Sequence, residues 1–116
     1  MFALCAWDRK HSKLYIARDR LGEKPIYYGY ANNTFLCASE LKAIEKFSGF
    51  SAKINQNALA LYLRHSYVPD PFCIYDGFFK LSPGSWLEVS ASGISEVNKY
   101  WDLKKIVAQD RIKLSE

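Results

Sequence analysis

Residues 2–7 form an uninterrupted apolar run, Phe-Ala-Leu-Cys-Ala-Trp, with no helix-length periodicity. A short run of this kind bounded by polar residues predicts a strand buried on both faces. Residues 8–13 are polar and basic and read as a turn into a second strand, residues 14–17, so the two pair as an antiparallel hairpin. A charged loop follows at residues 18–24, and residues 25–30 make a third, aromatic strand. Asn32-Asn33 is a turn signal, since Asn tolerates the left-handed region. Residues 34–38 complete a fourth strand, and the short connections predict one antiparallel meander. Ser39 then reads as the N-cap of a helix through Phe47, with Leu41, Ile44 and Phe47 on one face and Gly49 ending it.

A second helix starts at Asn55 or Asn57 and runs through Arg64, with Pro69-Asp70-Pro71 as its stop. Residues 72–81 read as an aromatic connection and Ser82-Pro83-Gly84 as a turn. Residues 85–89 alternate as a strand, residues 91–93 turn, and residues 94–101 return as its hairpin partner. From residue 103 onward, Leu103, Ile106, Val107 and Ile112 fall at nearly helical positions. Strands grouped with a few helices make this an α+β chain with antiparallel sheets.

Composition narrows the classes. At 116 residues with 49% hydrophobic content, the chain is long enough for one domain with a core. The net charge of +4 is scattered, with no basic run long enough for an interaction tail, which argues against nucleic acid as a partner. No apolar stretch reaches the roughly 18 residues of a membrane span, and no signal peptide is visible. Cys5, Cys37 and Cys73 are about 32 and 36 residues apart. An odd, widely spaced set argues against a disulfide framework or zinc site and reads as three small buried hydrophobes in a reducing cytoplasm. Cys5 lies in a strand, a poor setting for lowering a thiol pKa, and is not taken as a nucleophile.

Catalytic constellations are hard to find. His11 in a turn and His65 near a helix end have no second ligand at metal-binding spacing. Asp8, Asp19, Asp70, Asp76 and Asp102 sit in turns or loop ends, where Asp makes local hydrogen bonds. There is no phosphate-binding glycine motif. The loop Arg18-Asp19-Arg20-Leu21-Gly22-Glu23-Lys24-Pro25 stands out instead. Gly22 can take positive φ, Pro25 fixes φ at the start of a strand, and Arg18-Asp19 can pair with each other and tie the loop to backbone groups. On physical grounds alone it is a hairpin with a solvated charged tip.

The same stretch, Arg18 to Gly29, resembles the Arg-Asp-x-x-Gly-x-x-Pro-Leu-Tyr-Tyr word of class II glutamine amidotransferase domains, in the form found in glutamine-hydrolysing asparagine synthetases. The resemblance continues in order through Met1 to Asp8, Ala38 to Ala43, Leu61 to Pro69, Ile74 to Gly77, Lys80 to Gly84 and Tyr100 to Leu103, about residues 1–105 in all. It implies the α/β/β/α sandwich of N-terminal-nucleophile hydrolases. In that family an N-terminal cysteine is the nucleophile, its own α-amino group is the base, and an Asn-Gly pair forms the oxyanion hole. Those elements align upstream of Met1, and the Ser-Gly-Gly-x-Asp-Ser loop that binds ATP aligns downstream.

The resemblance therefore implies a partial amidotransferase domain at residues 1–102, lacking its N-terminal half, and the start of a linker or helix to a synthetase domain at residues 103–116. No catalytic, cofactor-binding or metal-binding residue carries over. Arg18, Asp19, Gly22 and Pro25 match a word read as scaffold. The parent activity implied is glutamine hydrolysis feeding ammonia to ATP- and Mg²⁺-dependent amidation of aspartate in a cytoplasmic enzyme, with room for a homodimer. The fragment is expected to be inactive alone. Two alternatives stay open: an amidotransferase for another acceptor, such as a sugar acid in surface polysaccharide synthesis, and a non-catalytic interaction module.

Overall fold

The structure, a computed structural model, describes residues 1–114. Strands β1 (Ala3–Asp8) and β2 (Lys13–Arg18) pair antiparallel as expected, with Cys5 opposite Ile16. Asp8 holds the turn between them, its carboxylate accepting from the Lys10 and His11 amides and lying 2.8 Å from His11 Nδ1.

The four-strand meander does not form. Strands β3 (Tyr27–Ala31) and β4 (Thr34–Ala38) pair with each other around Asn32-Asn33, both at positive φ, but they belong to a second sheet. The charged loop is a crossing between sheets and not a hairpin tip. Hydrophobic period identifies strands, but it does not say which strand is whose neighbour.

Strand β2 finds its second neighbour far along the chain, in β6 (Ser85–Ser90). The residues expected to return as one hairpin partner are broken into β7 (Gly93–Ile94) and β8 (Asn98–Lys99), both antiparallel to β6. The first sheet thus has the order β1-β2-β6-β7, with β8 also on β6. The second has the order β4-β3-β5, where β5 (Phe78–Lys80) comes from what the sequence showed only as an aromatic connection.

The sheets meet face to face through one core. Ile16, Leu87 and Val89 from the first pack with Tyr28 from the second and with Ile26 and Leu81 beside it. Ile16, Leu81 and Leu87 are fully buried. The other face of β3 turns Ala31 toward Phe78, Cys73 and Ile44, with Leu41, Phe47 and Phe50 packed around them. Helix α1 (Leu41–Glu45) therefore covers the second sheet with the apolar face the sequence predicted. Its N-cap is Glu40, without a side-chain cap bond, and Ser39 does not serve. Lys46, and not Gly49, is its C-cap.

Helix α2 (Gln56–His65) begins at the Asn55 N-cap, whose side chain accepts from Ala58 N. It ends at Ser66 in the left-handed conformation, before Pro69 is reached. Helix α3 spans Leu103–Leu114 and leaves Leu103, Ile106 and Val107 exposed. The side chain of Ile112 and residues 115–116, the end of the expected linker segment, lie outside the described residues.

The first strand departs most from expectation. Leu4 and Trp7 are exposed, as is Phe2 just before the strand: β1 lies at the edge of its sheet, where less of the molecule packs over its side chains.

Candidate functional site

Arg18 and Asp19 stand at the end of β2, where the chain leaves one sheet for the other. Both are buried, at 6% and 4% exposure, and do not belong to a solvated tip, while Arg20, Leu21, Glu23 and Lys24 of the same loop are exposed. They do not pair with each other either. Adjacent side chains at a strand end diverge, and each finds separate partners.

The Arg18 guanidinium donates from Nε to Lys24 O at 3.0 Å and from Nη2 to Gly22 O at 2.8 Å. Its Nη1 donates to Leu81 O at 2.6 Å and to Asp70 Oδ2 at 3.1 Å. Asp70 also lies 3.5 Å from Lys80 Nζ, which donates to Val68 O at 2.7 Å. Asp70 therefore makes an ion pair with a residue 52 positions away, in place of the local bonds expected of it. No local pattern carries that signal.

Asp19 binds the loop itself. Its carboxylate accepts from the amides of Leu21, Glu23, Lys24 and Phe2 at 3.0 to 3.3 Å. Burial works to raise its pKa, but these backbone donors outweigh burial and hold the carboxyl well below its ordinary 3.8. Gly22 takes φ of +68°, and a Cβ there would sit 2.6 Å from Pro83 Cγ.

The surrounding turn closes the knot. Asp19 O accepts from Gly84 N at 2.8 Å, Gly84 O accepts from Tyr100 N at 2.9 Å, and the Tyr100 hydroxyl donates to Arg18 O at 2.6 Å. Gly84, at φ +63°, faces Trp101 O so closely that a Cβ would lie 2.6 Å away. Stretches singled out separately in the sequence, around residues 18–25, 67–70, 80–84 and 100–101, thus converge on one place. Among the described residues no buried side-chain nitrogen or oxygen lacks a partner. The buried side chains of the knot, Arg18 and Asp19, are bound by the chain's own atoms.

Beside it, on the face of the second sheet that α1 covers, lies an apolar groove of about 590 Å³. Leu59 and Tyr62 of α2, Tyr27 of β3, Phe72 and Cys73 line it, with Lys80 at its polar end. Burial pushes the phenol of Tyr27 and the thiol of Cys73 up, so both stay protonated at neutral pH. Of the two histidines, His11 pairs with Asp8 in the exposed turn and His65 sits in the last turn of α2 near Tyr67. Among the described residues no group of three or more His, Cys, Asp or Glu side chains could hold a metal ion.

The cysteines hold a surprise for the sequence reading. Only Cys73 is buried, while Cys5 is exposed and Cys37 intermediate. Cys5 and Cys37, 32 residues apart, place their sulfurs 3.7 Å from each other across the two sheets.

An α+β scaffold of two antiparallel sheets locked by an internal charged knot defines the class of architecture. Residues 1–101 match the model of the glutamine amidotransferase domain family, and the chain belongs to that family. It is 37% identical over 107 residues to a Methanocaldococcus jannaschii protein named among the glutamine-hydrolyzing asparagine synthetases, covering 89% of this chain and 21% of that protein. Asparagine synthetase (glutamine-hydrolyzing) 3 of Bacillus subtilis is 33% identical over 106 residues, 90% of this chain and 17% of its own length. Amidase chry2 of Gibberella zeae is 32% identical over 104 residues, 89% of this chain and 15% of its own. The chain spans about a fifth or less of the length of these curated relatives. Among the described residues no helix is long and apolar enough to cross a membrane.

Proposed function

We propose that the chain is the scaffold portion of the glutaminase domain of an asparagine synthetase-like amidotransferase. The observation that supports this most directly is the Arg18–Asp19 knot. Arg18 and Asp19 of the family's charged word are buried, and their polar groups are bound by the chain's own atoms, as a framework requires and a substrate-binding residue does not. On this reading the two facing sheets belong to the α/β/β/α sandwich of N-terminal-nucleophile hydrolases, with residues 1–102 in the domain and residue 103 onward leading out of it.

The chain's part in the reaction is mechanical. It supplies the two-sheet core against which a nucleophile, its α-amine and an oxyanion hole are held by other residues. The parent hydrolyses glutamine to glutamate and ammonia and passes the ammonia to activated aspartate. Keeping ammonia away from bulk water between the two steps prevents its protonation and loss. ATP and Mg²⁺ belong to a synthetase domain built from residues other than these. A cytoplasmic location suits three cysteines that carry no disulfide, and the parent is a candidate homodimer.

Reading the gene for several hundred bases on either side of this frame tests the proposal. The expected result is an in-frame upstream segment opening Met-Cys and a downstream Ser-Gly-Gly-x-Asp-Ser word. An upstream segment with a downstream domain lacking that word would point to a different acceptor, such as a sugar acid. Stop codons on both sides would overturn the synthetase reading in favour of an interaction module.

A further inference from the structure

We propose that Cys5 and Cys37 form a dithiol site that a low-molecular-weight disulfide, such as glutathione disulfide, converts to a covalent bridge between the two sheets. The placement follows from register. Cys5 stands opposite Ile16 on β2, and Cys37 stands opposite Tyr28 on β3, so each shares a sheet face with a core residue. The two faces look at each other across the sandwich. At the margin of the core, the sulfurs approach to 3.7 Å.

Closing to a disulfide requires an S–S distance of about 2.0 Å, a movement of under about 2 Å shared by two strands. Those strands can give. Strand β1 is the edge of one sheet and β4 the edge of the other, so each is hydrogen-bonded to a neighbour on one side only. Cys73 takes no part, since it is buried in the cluster on the far face of the second sheet.

The thiols have different access, and that orders the chemistry. Cys5 is exposed. Burial, with Cys5 alongside, pushes the Cys37 thiol up to about 12, so Cys37 stays protonated and is the slower of the two to meet an outside reagent. The Cys5 thiolate, its proton gone to water, attacks one sulfur of glutathione disulfide. The glutathione S–S bond breaks, and one glutathione thiolate leaves and takes up a proton. Cys37 then attacks the Cys5 sulfur of the mixed disulfide and gives up its own proton, and the second glutathione departs as a thiol. Two protein thiols are oxidised and one glutathione disulfide is reduced to two glutathiones. The second attack is intramolecular between atoms already in contact, which offsets the high pKa of its nucleophile.

The bridge closes a loop from residue 5 to residue 37 and ties the edge strand of one sheet to the edge strand of the other. A cross-link of that span is expected to raise the melting temperature by about 10 °C. The experiment treats the 116-residue chain with glutathione disulfide, alkylates remaining thiols in denaturant and maps the unreduced digest by mass spectrometry. The expected result is a peptide pair joined through Cys5 and Cys37, two hydrogens lighter than its parts, with Cys73 alkylated. A reductant should reverse both the link and the rise in melting temperature. Cys37→Ser should hold glutathione on Cys5 without forming a bridge. Were that variant not to fold, the wild-type map still decides the matter. Glutathione lodged on Cys5 beside an alkylated Cys37, a Cys5–Cys5 link between chains, or a link through Cys73 would each overturn the proposal.

Discussion

Asp19 shows how a charged side chain can be a structural part. Its carboxylate accepts four backbone amides, and its main-chain oxygen takes two more, from Gly22 and Gly84. Because its folded pKa lies below the ordinary 3.8, the unfolded chain binds more protons than the folded one as the pH falls through that region. The stability Asp19 contributes is therefore complete above about pH 5, and is lost as the pH drops below about 4 toward the depressed folded value. Asp8, Glu88 and Asp102 also titrate low, so the whole chain loses stability in acid. Comparison with Asp19→Asn isolates the one residue. The variant should melt lower at pH 7, and the gap should narrow between pH 4 and pH 2 as the wild-type carboxylate is protonated. Melting curves that stay equally separated across that range would contradict this assignment.

At the scale of elements, the tightest constraint is where β3 meets β5. Gly29 sits in β3, the central strand of its sheet, and a Cβ there would lie 2.4 Å from Gly77 O and 2.7 Å from Phe78 Cδ1. Backbone does not yield as a flexible side chain does. Gly29→Ala should therefore cost about 1–3 kcal/mol, measurable as a lower urea midpoint at unchanged m-value. An unaltered midpoint would show that β5 can move away freely.

Legibility in the sequence also divides at this scale. The strands expected at residues 14–17, 25–30, 34–38 and 85–89, the Asn-Asn turn and the helix starting at Asn55 or Asn57 could be read to within a residue or two, because each rests on local pattern or capping chemistry. Sheet membership could not, since β2 pairs with β6 some seventy residues away and no local period encodes that. The three residues of β5 were too few to show alternation. The burial of Arg18 and Asp19 was hidden for the same reason. Their composition says surface, and only the convergence of Leu81, Asp70, Gly84 and Tyr100 around them makes an interior site. The resemblance to amidotransferases carried the functional reading because it follows residues in order and does not depend on contacts.

The whole molecule is a slab, 59 × 44 × 23 Å. Its thin dimension is what two sheets about 10 Å apart and their side chains occupy. The radius of gyration, 16.4 Å, exceeds the about 13 Å of a rounded domain this long. Phe2, Leu4 and Trp7 lie exposed along the free edge of β1. A wide, thin body with exposed apolar side chains and an internal lock suits the framework role proposed for it.

The decisive measurement is glutamate release from glutamine by the purified chain. A scaffold without the family's nucleophile should release none above buffer, with or without ATP. Release that is lost in Cys5→Ala would show that this chain carries its own nucleophile and would contradict the account.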